Sequence, residues 1–538
     1  MISTQLRLEV EEWIANDPDP KTSQLLQHWL EIENESELAK SFNGFLEFGT
    51  AGLRGPLRPG PSGMNRAVVG RTAAAIAQYL KARGLSKIVI GRDARHGSGE
   101  FLIESAEIFA GAGLEVYLLP RELPTPVLAF AVKELKMDCG VMITASHNPA
   151  SDNGYKVYLG GSVDGVNYSG SQIISPADSE ISKEIARVQL PSPKGNNWQI
   201  VSEELIWKYL ERTARSSKQA IETKIIYTAM HGVGTKTLLA LFDKANFAKP
   251  ILVSEQAEPN PDFPTVAFPN PEEPGAIDLA IKLAIKEGAD LVIANDPDAD
   301  RCAIAVKDGA GNWRALRGDE LGVLLGHYIA NSGDMADKTF ATSIVSSSAL
   351  SKIATNVGAK FEETLTGFKW ISKIENLAFG YEEAIGYCVD PTVVNDKDGI
   401  SAALKIAQIN SELIAKGSSL LKYLDEIWNE IGFHRTEQLS VRVSELSTIK
   451  NILQKIKDNP PKNLAGLDIT NFEDLESSKL PTVGLRLWAG PNVRIIIRPS
   501  GTEPKLKSYV EVVGEKEIAE KLVMQICGDL RDLFASYS

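Results

Sequence analysis

Ala289-Asp290-Leu291-Val292-Ile293-Ala294-Asn295-Asp296-Pro297-Asp298-Ala299-Asp300-Arg301 is the stretch on which the reading of the fold turns. Its apolar first half reads as a strand. Its second half is a loop with carboxylates at alternate positions, kept out of helix by Pro297. Where strands alternate with helices the sheet is parallel, and ligands gather at the carboxyl ends of its strands. This acidic loop lies at such an end.

The same alternation extends outward on both sides. Upstream, Lys87 to Gly91 reads as a buried strand, Phe101 to Gly111 as a helix and Glu115 to Leu119 as a strand. Pro124 opens another helix, where its missing N–H costs nothing. Cys139 to Ile143 is a strand that runs into the polar loop Thr144-Ala145-Ser146-His147-Asn148-Pro149. Around the acidic loop, Lys224 to Ala229 and Leu252-Val253 are strands with a helix between them. Downstream come Thr339 to Val345, a helix around Leu350 to Val357, Phe361 to Leu365 and a helix after Gly367.

The last hundred residues change character. Gln438 to Val443, Val483 to Trp488, Val493 to Ile497 and Leu506 to Val513 read as strands, with helices near Leu446 to Ile456 and Glu515 to Leu533. The expected fold class is therefore α/β: three α/β domains followed by a small α+β domain. The boundaries fall near 210, 320 and 430, which gives domains 1–210, 211–320, 321–430 and 431–538. The stretch before Phe45 reads as helical, broken at Asp17-Pro18-Asp19-Pro20, with Leu25, Leu26, Trp29 and Leu30 at helix spacing. The Pro-rich segment Glu258 to Pro274 reads as a long ordered loop.

Composition narrows the function classes. The chain has 538 residues, 43% hydrophobic and 24% charged, a globular balance spread over roughly three or four domains. A net charge of −13 without a basic tail argues against nucleic acid or an anionic membrane as partner, but leaves anionic small molecules open. Cys139, Cys302, Cys388 and Cys527 are scattered, as in a reducing cytoplasm. Met1 to Trp13 carries Glu9, Glu11 and Glu12 and no apolar signal core. No run approaches the ~20 apolar residues of a membrane helix, so the expected location is the cytoplasm.

Three strings carry chemistry. Asp296, Asp298 and Asp300 can converge on one hard cation, and Mg²⁺ suits such a set of oxygens. Without a cation they would repel strongly. Most acidic triplets are solvated turns, but the strand-end placement and the adjoining Arg301 argue against that here. Ser146 beside His147 invites a hydrolase reading, yet neighbouring side chains diverge and no Gly-x-Ser-x-Gly elbow is present. With a magnesium site at hand Ser146 is a candidate phosphoryl acceptor, and His147 is read as orienting the loop. In Arg498-Pro499-Ser500-Gly501-Thr502-Glu503-Pro504, backbone N–H groups turned inward around Gly501 and a two-pronged arginine suit a phosphate monoester.

In this order the three strings resemble the α-D-phosphohexomutase superfamily, and specifically its phosphoglucomutase 2-like branch, which handles glucose and pentose phosphates. The match runs from about Phe48 to Val513. It includes Phe48-Gly49-Thr50-Ala51-Gly52-Leu53-Arg54-Gly55, Gly91-Arg92-Asp93-Ala94-Arg95, Asn153-Gly154-Tyr155-Lys156 and His231-Gly232-Val233-Gly234. Thr366-Gly367-Phe368-Lys369-Trp370 and Tyr381-Glu382-Glu383-Ala384-Ile385-Gly386-Tyr387 belong to it too. The resemblance implies four domains around one cleft, the last of them phosphate-binding. It implies that Ser146 is a phosphoserine and that Asp296, Asp298 and Asp300 bind Mg²⁺ together with a phosphoserine oxygen. Arg301 would support the phosphoryl group, and Arg54 and Lys156 would line the transfer site. Lys397, in Asp396-Lys397-Asp398-Gly399, would face it. Glu382 would contact sugar hydroxyls, with Thr366 and Gly367 beside it, and Arg498, Ser500, Gly501 and Thr502 would hold the idle phosphate.

One position departs from the pattern. Many hexose mutases carry a serine two residues after the sugar-binding glutamate, and Ala384 stands there instead. A missing hydroxyl hydrogen bond is worth roughly 0.5–1.5 kcal/mol, so sugar preference is expected to loosen. The activity so implied is interconversion of glucose 1-phosphate and glucose 6-phosphate through a bisphosphate, with glucose 1,6-bisphosphate as primer of the serine. A phosphopentomutase, a phosphomannomutase or a sugar-bisphosphate synthase is the alternative. A silent relative would have lost Ser146 or one of the aspartates, and a serine hydrolase would leave the acidic triplet without purpose. The partner is a small phosphosugar, and oligomeric state is left open.

Overall fold

Ile88, Val89 and Ile90, like Val141, Met142 and Ile143, are withdrawn from solvent, as strands covered by helices on both faces must be. In the computed structural model, which describes residues 2–49, 52–188, 191–215, 223–443, 446–500 and 505–537, these strands sit centrally in a seven-stranded sheet. Its order runs Gly52–Pro56, Asp152–Leu159, Cys139–Ile143, Lys87–Arg92, Glu115–Leu118, Trp198–Ile200, with Ser171–Gln172 added beside Asp152–Leu159. The inner strands are parallel. Contrary to an all-parallel expectation, Asp152–Leu159 runs antiparallel to both its neighbours, Cys139–Ile143 and Gly52–Pro56. The physical reason is the short reversal after the Ser146 loop, which returns the chain directly alongside the strand it has just left.

A second sheet, Ile251–Leu252, Ile225–Thr228, Leu291–Ala294, Ala303–Lys307, Trp313–Ala315, repeats the theme. Its first pairings are parallel, and the two strands after the acidic loop turn back antiparallel. Leu291, Val292 and Ile293 are fully buried, worth about 1.5–3 kcal/mol each. Both sheets belong to one compact unit, Met1–Leu316 with Ala384–Gly417.

The N-terminal helices Thr4–Asn16, Pro20–Glu31 and Glu35–Ser41 form a small satellite core of Val10, Leu26, Leu30 and Leu38. Pro20 takes the first helical position, behind the Asp19 carboxylate, which accepts from Lys21 N–H. Leu25, expected on the apolar stripe, is exposed. Pro124, expected to open a helix, stands just before one, Thr125–Glu134, in the capping position with extended backbone.

The second compact unit is Arg317–Glu383 with Ser418–Ser538. Lys360–Thr364, Thr339–Ser343 and Leu377–Glu382 pair in parallel. The helix expected after Gly367 is a single turn, Phe368–Ile371. A six-stranded sheet follows, Phe433–Arg442, Lys505–Gly514, Val493–Pro499, Leu485–Ala489, Leu467–Asp474, Asn463–Leu464. The helices Leu446–Asp458 and Lys516–Tyr537 pack on it over a core that includes Ile452, Ile495, Val510 and Ile526. Ile344 and Val345 meet Leu475, Ile496 and Tyr509. The Arg494 guanidinium bridges Glu363 and Glu511 at 3.0 Å each, so the two sheets of this unit share a half-buried, paired charge cluster. Among the described residues no helix is long and apolar enough to cross a membrane.

Candidate active site

The strand Cys139–Ile143 delivers its chain to Ser146, whose backbone adopts a left-handed conformation with φ of 53°. For a residue with a Cβ this costs about 1–2 kcal/mol, and the loop is braced accordingly. Ser146 N–H donates to Thr144 Oγ1 at 2.9 Å. The buried Arg95 guanidinium donates to the carbonyls of Ser146, Asn148, Pro149 and Asp152 at 2.6–3.2 Å. Phe263, from the Pro-rich segment, lies under that guanidinium at 4.8 Å. The sequence Gly91-Arg92-Asp93-Ala94-Arg95 by itself implies no such role for Arg95. Its four carbonyl partners are distant in sequence, and the only local hint is two arginines flanking a buried aspartate.

The expected divergence of Ser146 and His147 does not hold: Ser146 Oγ lies 3.2 Å from His147 Nδ1. The left-handed backbone at Ser146 swings the two side chains to one side. Burial, with Arg301 and Arg54 nearby, holds the His147 imidazole well below its ordinary pKa and therefore neutral.

Ser146 Oγ also donates to Asp296 Oδ2 at 2.7 Å, bringing the serine to the acidic loop. Asp296, Asp298 and Asp300 are buried, and one oxygen of each lies within 4.8 Å of the others. The loop is held by its neighbours. Asn295 Nδ2 donates to Arg301 C=O, and Arg301 N–H donates to Asp296 Oδ1 at 3.1 Å. Gly232 passes so close beneath Pro297 that a Cβ would fall 2.3 Å from its Cα, which explains a glycine in His231-Gly232-Val233-Gly234.

Lys156 Nζ bridges Asp298 Oδ2 and Asp300 Oδ2, at 2.7 Å each. Lys397 Nζ is 3.4 Å from Asp300 Oδ2. Arg301 lies 4.0 Å from both Asp296 and Asp300, and 3.6 Å from Glu272. Arg54 donates to Asn148 Oδ1 at 3.3 Å, on a strand paired with that of Lys156. Burial and the two other carboxylates push the Asp296 carboxyl well above its ordinary range. Burial acts the same way on Asp298 and Asp300, but their partners together hold both below that range: Lys156 and Thr125 for Asp298, and Lys156, Lys397 and Arg301 for Asp300. Asp298 Oδ1 and Asp300 Oδ1 are buried with no hydrogen-bond partner among the described residues. Orphaned carboxylate oxygens beside a third carboxylate fit a hard divalent cation.

In the second unit, Glu382 ends the strand Leu377–Glu382, and its Oε1 accepts from Gly367 N–H at 2.8 Å. Gly367 has φ of 109°, which glycine alone adopts without strain. Thr366 adjoins it; Ala384, where the chain re-enters the first unit, lies in the turn before the strand Gly386–Cys388. Arg498 lies near the end of the strand Val493–Pro499, and Ser500 N–H donates to Lys505 C=O at 2.8 Å across the loop. Gly501 and Thr502 lie outside the described residues. Arg498 Nε is buried with no partner among the described residues.

Glu383, next to Glu382, accepts from the Ser343 and Ser346 hydroxyls at 3.0 Å each. Burial first, then Glu382 and Asp319, push its carboxyl up to about 7. The folded protein thus holds a proton that the unfolded chain releases, and this stabilisation fades as pH rises from the ordinary carboxyl range through about 7. Glu383→Gln, always neutral, should gain in melting temperature over the native protein as pH goes from 5 to 7. The gain should level off above that, with a slope of at most about 1.4 kcal/mol per pH unit. Thermal melts across that range check it, and parallel curves would refute it.

Comparison with known proteins agrees with this architecture. Residues 46–190, 207–309 and 317–431 match phosphoglucomutase/phosphomannomutase alpha/beta/alpha domains I, II and III, and residues 441–528 match the C-terminal domain. A Haemophilus influenzae protein named "Probable phosphomannomutase" is 46% identical, over 84% of this chain and 94% of its own length. The phosphopentomutase of Homo sapiens is 36% identical, over 94% of this chain and 91% of its own. A phosphoglucomutase/phosphomannomutase family protein from Burkholderia thailandensis superposes with a TM-score of 0.71 at 18% identity, covering 91% of this chain and 98% of its own. The chain is thus an enzyme of the phosphoglucomutase/phosphomannomutase family, within the α-D-phosphohexomutase superfamily.

Proposed function

We propose that this enzyme interconverts glucose 1-phosphate and glucose 6-phosphate through a phosphorylated Ser146. The observation that carries the reading is Ser146 Oγ bonded to Asp296 within a triad that has two orphaned oxygens, with cationic Arg301, Lys156 and Lys397 around it. In the first half-reaction the free hydroxyl of the sugar monophosphate attacks the phosphorus on Ser146. The bond from phosphorus to the serine oxygen breaks, the sugar hydroxyl proton passes in net terms to the departing serine oxygen, and a sugar bisphosphate and a free Ser146 hydroxyl result. In the second half-reaction the other phosphate passes back to Ser146 from the turned bisphosphate. The transition state is loose, so the protein's work is alignment and charge neutralisation. A magnesium ion held by Asp296, Asp298 and Asp300 supplies neutralisation of the phosphoryl oxygens when bound. Arg301, Arg54, Lys156 and Lys397 add fixed positive charge. Thr366, Gly367 and Glu382 read the sugar, Arg498, Ser500, Gly501 and Thr502 hold the idle phosphate, and glucose 1,6-bisphosphate primes the serine. Four buried, unpaired cysteines support a cytoplasmic location, and the four-domain division near 210, 320 and 430 is part of the same reading.

A second reading has equal support: mannose or pentose phosphates as substrates, or synthesis of the bisphosphate. Ala384 in place of a serine favours a relaxed sugar site, and the relatives carry phosphomannomutase and phosphopentomutase names. Specificity constants for glucose, mannose and ribose 1-phosphates, with bisphosphate present, decide between them. The expected result is a main activity on glucose with measurable pentose turnover. Ala384→Ser should shift the ratio toward hexose by at most about tenfold. A wild type that ignores pentose phosphates, with a ratio unmoved by the substitution, would sink this account of the loop.

A further inference from the structure

We propose that Thr125 is a positioning residue for the cation site, fixing the Asp298 carboxylate so that its second oxygen is presented to the metal. The inference rests on reading the three aspartates as a magnesium site. Thr125 is fully buried. Its hydroxyl donates to Asp298 Oδ2 at 2.6 Å, and its backbone N–H donates to Asp298 C=O at 2.9 Å. It thus grips both the side chain and the main chain of the same residue.

The local sequence explains how. Thr125 is the first residue of the helix Thr125–Glu134, so its N–H has no acceptor within the helix. Pro124 and Pro126 flank it, leaving the chain little freedom at this corner. The positive end of the helix faces a carboxylate, the favourable polarity. Lys156 donates to the same Oδ2 at 2.7 Å, so that oxygen has two donors while Asp298 Oδ1 has none among the described residues. With the hydroxyl gone, Lys156 alone would leave the carboxylate free to turn and offer either oxygen. A partner one step behind a metal ligand is commonly worth tenfold to a hundredfold in metal affinity. Valine has the shape of threonine without the donor, and serine has the donor without the methyl group.

The test uses the full chain, stripped of metal, as wild type, Thr125→Val and Thr125→Ser. Mg²⁺ binding is followed by calorimetry and Mn²⁺ binding by electron paramagnetic resonance. The expected result is a Kd for both ions raised about 10- to 100-fold in the valine variant, with the serine variant restoring wild-type affinity. The Mg²⁺ concentration for half-maximal turnover should rise in step with the Kd. A valine variant that melts earlier yet binds both ions like the wild type would make Thr125 merely structural and overturn the proposal. Should that variant not fold, Thr125→Ala against Thr125→Ser repeats the comparison, and equal affinities there overturn it equally. A wild type that binds neither ion would instead remove the reading of the triad itself.

Discussion

Ser146→Ala should yield a folded protein whose mutase turnover is lower by at least about 10⁴-fold, the scale on which loss of a covalent nucleophile is felt. The change removes one oxygen from a buried loop that Arg95 and Thr144 hold independently of it. Asp296 loses one donor but keeps the Arg301 N–H on its other oxygen, so the fold should tolerate the loss. Intact mass spectrometry of active wild type should show one phosphate mapping to Ser146, absent from the variant. An alanine variant with full turnover would end the phosphoserine reading, whatever the sugar.

Asp298→Asn should lower Mg²⁺-dependent turnover by roughly 10³-fold, a scale set by the several kcal/mol that a metal ion contributes to a developing charge. Asp298 is held by short hydrogen bonds from Thr125 and Lys156. Its replacement removes an anionic ligand without opening a cavity, so circular dichroism should be unchanged. In the wild type, EDTA should abolish turnover and Mg²⁺ should restore it, while the variant should respond to neither. Full turnover of wild type in EDTA would count decisively against a metal at this site. The variant also calibrates Thr125→Val, which should weaken binding where Asp298→Asn removes a ligand.

Not all of this was legible in one dimension. The alternation of apolar strands and helices, with polar loops at strand ends, is a local signal. It placed Ser146 and the aspartates in loops following Ile143 and Ala294, where the structure has them. Alternate carboxylates around a proline also imply convergence, because the chain there cannot coil. Element ends were less readable: Phe433–Arg442 begins five residues before the apolar run that signalled it, since its first turns pair in the ladder rather than bury a face. The antiparallel strands Asp152–Leu159 and Ala303–Lys307 were not legible because direction is set by partners and not by periodicity.

What the sequence alone determined, then, is the set of reactive groups and the loops that carry them, because strand, helix and turn preferences act over a few residues. Tertiary structure decided which oxygen faces which cation. Thr125 reaches Asp298 across 173 positions of sequence separation, and Lys156 reaches the same carboxylate across 142. Each is an unremarkable residue in its own segment. Their meaning arises only when two sheets pack and the buried carboxylates must find donors, since an unpaired buried charge is too costly to leave. The left-handed turn that brings Ser146 to His147 is likewise held by Arg95, from another strand's end. Composition lists such groups, but only packing aims them.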